Sequence, residues 1–177
     1  MSGFTFDYSE AVQKRIGEFI AGLRVETPVL STLATYWTNP VTFAVFNVTG
    51  LIKVIAMYLE VTSALDANAT TLVFRWTGTV PALGIATMGS ASASIATAAA
   101  GAKIMFTGTG QVAAGPVAGI AYLPATYFIG GQTAAGVNAT GVISALIAGG
   151  TQAGTASGRY VLHYVPMTEG AFAVSAI

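Results

Sequence analysis

The sequence predicts an all-β protein: an antiparallel β-sandwich of jelly-roll type, residues 28–177, preceded by an amphipathic helical arm, residues 1–27. Three observations carry this reading. Apolar residues recur at helical spacing only before Pro28, and from there onward they alternate with period two. Gly, Pro, Asn and Asp punctuate the alternating stretches at short intervals. No second helical pattern of comparable strength interrupts them, which argues for strands packed on strands.

The elements follow in chain order. Val12, Ile16, Phe19, Ile20 and Leu23 form one apolar stripe opposite Lys14, Arg15 and Glu18. Asp7, with Glu10 three residues on, suits the start of such a helix. Gly17 and Gly22 weaken it by about 1 kcal/mol each relative to Ala, so the arm needs a surface to dock on. The five stripe residues are therefore the candidate partner-binding side chains. Strands are expected at Val41 to Val48, Leu51 to Val61, Thr71 to Trp76, Ala102 to Thr107, Tyr127 to Ile129, Val142 to Ile147, Arg159 to Val165 and Ala171 to Ala176. Turns are expected at Thr49-Gly50, Asp66-Ala67-Asn68, Thr77-Gly78, Gly108-Thr109-Gly110, Gly130-Gly131 and Gly149-Gly150. The small-residue stretch 86–102 fits a strand, a loop or an irregular excursion equally well.

Charge is the scarcest resource of this chain. Charged residues make up 8% of its 177 positions, against about 25% in an ordinary soluble domain. Half of them lie in the first 26 residues, and between Trp76 and Gly158 the single charge is Lys103. A lone domain normally covers its surface with Lys and Glu. Such a stretch is solvated by neutral Thr, Ser, Asn and Gln or covered by neighbouring subunits, and the second alternative predicts a homo-oligomer, a trimer being expected. Seven basic and seven acidic residues cancel, which gives nucleic acid or anionic lipid no net field to follow.

Mean hydropathy is +0.69, yet residues 80–102, uncharged throughout, carry Ser or Thr at close intervals and few large aliphatics. They do not read as membrane-spanning helices. The aromatics cluster in 36–76 and 122–172 rather than in repeated girdles, which argues against a membrane barrel.

Catalytic chemistry has little to work with. Cysteine is absent and His163 is the single histidine, so thiolate nucleophiles, cysteine-based metal sites and histidine clusters are excluded. Alternation along Arg159 to Val165 puts Arg159, Val161, His163 and Val165 on one face and Tyr160, Leu162 and Tyr164 on the other. His163 reads there as a strand histidine, hydrogen-bonded or half exposed. Glu60 and Asp66 flank an expected turn without the spacing of a catalytic or metal-binding pair, and Glu60, Lys53 and Arg75 are expected as cross-strand charge partners. Gly108-Thr109-Gly110 lacks the lysine and following helix of a phosphate loop. Among the aromatics, Tyr36, Trp37, Phe43, Phe46, Tyr58, Phe74 and Trp76 alternate within strands as core residues do, although such a set also suits a sugar-stacking platform. No enzyme, cofactor or metal is expected.

The closing segment Tyr160-Val161-Leu162-His163-Tyr164-Val165-Pro166-Met167-Thr168-Glu169-Gly170-Ala171 resembles the final hairpin of small tailed-phage virion proteins. Val48-Thr49-Gly50-Leu51-Ile52-Lys53-Val54 through Val61-Thr62-Ser63-Ala64-Leu65 is similar to the opening strands of the same group. The resemblance implies a non-enzymatic subunit of the virion. It implies a capsid decoration or cement protein contacting the major capsid protein or other virion subunits, with a receptor- or glycan-binding module of a fibre or tail as the alternative.

Overall fold

In a computed structural model of the chain, the described residues are 22–31, 35–106, 127–152 and 154–177, with the surroundings of Thr35, Leu83 and Gly84 outside the description. They form eleven strands: β1 (Leu23–Glu26), β2 (Leu30–Ser31), β3 (Val41–Thr49), β4 (Ile52–Ser63), β5 (Thr70–Val80), β6 (Ala82–Thr87), β7 (Lys103–Phe106), β8 (Tyr127–Ile129), β9 (Thr140–Gly149), β10 (Ser157–Pro166) and β11 (Phe172–Ser175). One 3-10 turn, Thr35–Trp37, precedes β3.

All pairings between these strands are antiparallel, and they build two sheets. The first runs β1-β10-β4-β7, with β2 also on β10 and β8 also on β4; the second runs β11-β3-β9-β5-β6. Alternation along each strand directs one set of side chains into the layer between them. Leu59, Leu162 and Tyr160 enter from the first sheet and Phe46, Phe74 and Ile143 from the second, all buried in one cluster. Phe74 meets Phe106 and Tyr160 edge to face, at centroid distances of 6.3 and 6.0 Å. The aromatic contacts thus tie β5 of one sheet to β7 and β10 of the other.

Each of the eight expected strands has a counterpart here. Three expectations need correction. Leu23 was expected to close the helical stripe, but it opens β1: Leu23 and Val25 lean on the core while Arg24 and Glu26 point outward. Both periods are satisfied by Leu23, and pairing along Leu162 and Tyr164 of β10 decides for the strand. The proposed boundary at residue 27 therefore cuts into the sandwich. Val12, Ile16, Phe19 and Ile20 lie outside the described residues. Thr77-Gly78 is no turn but part of β5, which continues against β9 through a register shift between Gly78 and Val80. Gly108-Thr109-Gly110 lies outside the described residues, whereas Gly50 and Gly130 do occupy turns, both at positive φ.

The small-residue stretch has a definite course. β6 pairs with β5 only as far as Thr87; then Met88, Ser92 and Ile95 donate backbone N–H groups to the carbonyls of Phe74, Leu72 and Thr70. The chain crosses back to β4, where Leu65 N–H reaches Ala98 O and Val61 N–H reaches Ala102 O. Met88, Ile95 and Ala98 are buried in the core along the way. Small residues allow this close approach, and the backbone bonds replace a strand partner along that edge of β5.

Candidate functional site

Three features of the sandwich offer contacts beyond its own core: the outward face of the first sheet, the edges of the second, and a pocket at one end.

On the outward face, cross-strand rows bring together residues far apart in sequence. Val161 pairs with Tyr58 and Tyr58 with Met105, while His163 pairs with Ala56. Ala56, Tyr58, Met105 and Val161 form a second, small apolar cluster separate from the main core. Beside it runs a ladder of alternating charge. Lys103 faces Glu60 at 3.8 Å, Glu60 accepts from Arg159 Nε at 2.8 Å, Arg159 lies 3.5 Å from Glu26, and Glu26 accepts from Arg24 at 2.7 Å. The outer pair is nearly half exposed and contributes about 0–1 kcal/mol. The inner acid counts for more, because Glu60 is only 19% exposed and receives a charge-assisted bond. That same bond raises the Arg159 pKa. Glu60→Ala should lower stability by about 1.5–3 kcal/mol, since it leaves Arg159 and Lys103 as neighbouring cations. Urea unfolding with and without high salt measures this, and the loss should shrink when salt screens the two cations.

The expected partnership of Glu60 with Lys53 and Arg75 is thus replaced by one with Arg159 and Lys103. Arg75 sits on β5 in the other sheet, and Lys53 lies opposite Val165 and Phe128, one end of β4 away. Asp66 does not join Glu60 in a carboxylate pair; it caps the turn into β5, accepting from the backbone N–H of Asn68 at 2.8 Å.

His163 occupies the predicted face. Its ring stacks on Tyr58, 6.1 Å between centroids, and among the described residues Nε2 has no hydrogen-bond partner. Burial lowers its pKa, helped by the nearby Arg24 guanidinium, while burial raises that of Tyr58. The sign follows directly. The unfolded histidine takes up a proton near pH 6.5 and the folded one only at lower pH, so stability should fall as pH drops from about 6.5 toward the folded pKa, then level off. Above that window the imidazole is neutral in both states and adds no pH dependence. Melting temperatures across it should flatten in His163→Gln; an unchanged slope would assign the effect to another group.

The aromatic set divides. Trp37, Phe46 and Phe74 are core, with Trp37 Nε1 donating to Leu30 O at 2.9 Å. Tyr36 and Phe43 are partly buried and meet edge to face at 4.9 Å. Tyr58 belongs to the outward cluster. Trp76 is half-buried at the end of the sandwich, where it lines an open pocket of about 150 Å3 with Val80, Pro81, Gly131, Gln132 and Thr140. Gly141 makes room for it: a β-carbon there would overlap the Trp76 ring. Thr79 and Thr140 share a hydroxyl hydrogen bond of 2.8 Å beside the pocket.

The edges of the second sheet lack charge altogether. β6 and β11 each pair with one strand only among the described residues, the outer backbone N–H and C=O of Ala173 on β11 being met by the Tyr164 hydroxyl, and neither strand contains Lys, Arg, Asp or Glu. Ile85 on β6 is 64% exposed, and Phe172 and Val174 on β11 are nearly half exposed.

Among the described residues no helix is long and apolar enough to cross a membrane. In comparisons with protein-family models, curated proteins and solved structures, the chain matches none.

Sequence reasoning found the outward face of β10 but missed the ladder, the edge β6 and the pocket. Only the exposed Ile85 and the indole of Trp76 beside glycines offered a signal for the last two.

Proposed function

We propose that the chain is a non-enzymatic virion structural protein, a capsid decoration or cement subunit acting as a homotrimer against the major capsid protein or other virion subunits. The uncharged, apolar edges of the second sheet carry this reading. A free edge strand is a template for unwanted pairing, and monomeric proteins guard it with charge, especially lysine. Here β6 and β11 present Ile85, Phe172 and Val174 instead. Two different edges meeting head to tail generate a closed ring where the rotation between subunits closes and a filament where it does not, and three subunits make the smallest such ring. Scarcity of charge elsewhere suits broad neutral contacts with a shell.

In this reading the sandwich is of jelly-roll type, and the segment before Gly22 is the helical arm whose Val12, Ile16, Phe19 and Ile20 dock on a neighbour. Light scattering at micromolar concentration tests the assembly, and a soluble monomer with no concentration dependence rejects it. Ile85→Lys and Val174→Lys should each give monomers while changing the stability of the fold by no more than about 0.5 kcal/mol, because both side chains are exposed. Cosedimentation with shells lacking the subunit tests the capsid partner. The second reading, a glycan-binding module of a fibre or tail, is favoured by one observation, the pocket at Trp76.

A further inference from the structure

We infer that the end pocket between β5, the loop that follows β8 and the start of β9 binds one ring of a neutral carbohydrate, an inference that rests on the second reading above and locates its site. The chemistry of the lining selects the ligand class. Trp76 offers a flat, polarisable indole face of the kind that stacks on the C–H face of a pyranose. Its indole N–H has no acceptor among the described residues and remains available to a ligand hydroxyl.

Around it stand neutral polar groups. Gln132 is exposed and gives its amide N–H to Asn138 Oδ1 at 3.2 Å, which leaves its carbonyl oxygen to accept from a ligand. The Thr140 hydroxyl, already joined to Thr79, can extend that chain of hydroxyls by one more bond. No charged residue lines the pocket, so the chelating Arg or Lys contacts that hold phosphate or carboxylate are missing. A ligand that is uncharged, flat on one side and rich in hydroxyls matches this set.

Size and rigidity agree. About 150 Å3 accommodates a single sugar ring, and the open side lets a longer chain continue into solvent. The walls are fixed by β-structure: Trp76 stands on β5 opposite Ile143 of β9, and the Gln132 and Asn138 bridge pins the loop that carries Gln132. One ring held by one stacking contact and a few hydrogen bonds implies weak binding, in the millimolar range.

The chain contains two tryptophans, and the other, Trp37, is buried with its N–H bonded to Leu30, so Trp37 supplies a constant background emission and a shift on adding ligand reports on Trp76. The full chain is titrated with glucose, galactose and N-acetylglucosamine, and then with a neutral tripeptide. A saturable shift is expected with at least one sugar and none with the peptide. Gln132→Ala should weaken the sugar at least about fivefold, the loss of one neutral hydrogen bond, without changing the melting temperature. Saturation by the tripeptide overturns the carbohydrate assignment. Sugar binding that Gln132→Ala leaves intact overturns the site while the glycan-binding reading stands, and no saturable change with any sugar overturns both.

Discussion

Replacing Phe74 with alanine is expected to remove about 3–5 kcal/mol of stability. Phe74 is fully buried and stands where the two sheets meet, edge to face with Phe106 and Tyr160. The substitution removes the transfer energy of the ring and leaves a cavity that the sheets cannot collapse to fill. It also removes two aromatic contacts, each contributing about 0.5–1.5 kcal/mol beyond burial. Phe172 supplies the control, because it lies on β11 and is nearly half exposed. Phe172→Ala should change stability by about 0.5 kcal/mol or less. Denaturant unfolding of both variants reads the difference, and similar losses in the two would contradict the inter-sheet position of Phe74.

The second large effect separates the arm from the sandwich. Deleting residues 1–21 should leave the melting temperature nearly unchanged and abolish binding to the particle, if Val12, Ile16, Phe19 and Ile20 dock on a neighbour. Deleting residues 1–27 should cost about 3–5 kcal/mol more, because it strips β1 from β10. Leu23 and Val25 would leave the core margin, and β10 would lose its pairing from Val161 to Tyr164. Thr27 matters as well: it is buried, its N–H donates to Tyr160 O, and its hydroxyl oxygen accepts from Tyr160 N–H, both at 3.0 Å. Thermal melts of the two truncations, run beside cosedimentation, decide the boundary. A large loss of stability already at 1–21 would place that segment within the subunit's own fold.

The alternating strands were legible because strand alternation is a local property. In Arg159 to Val165 each residue's neighbour at two positions faces the same way, so the split between Tyr160, Leu162 and Tyr164 on the core and Arg159, Val161 and His163 on the outward face could be read directly. Turns at Gly50 and Gly130 were legible for the same reason: both hold a positive φ that an L side chain rarely adopts. The stretch 86–102 was not legible, because its course follows backbone bonds to β5 and β4 rather than any side-chain period. The pocket was only half legible. Trp76 stood out as an aromatic, but the approach of Gly131 and Gln132 depends on where β8 ends against β4.

From sequence alone came the all-β class, the scarcity of charge, the absence of cysteine and the in-or-out direction of most strand residues. All of these rest on composition or on neighbours two positions apart. Tertiary structure decided that Leu23–Glu26 is a strand, since Leu23, which satisfies both periods, takes the one its partner β10 offers. It decided, too, that Glu60 meets Arg159 and Lys103 rather than Lys53 and Arg75. Strand order is the physical reason: β10 lies between β1 and β4, and β9 between β3 and β5, so which charges and rings become neighbours is set by pairings across a hundred residues that no local period encodes.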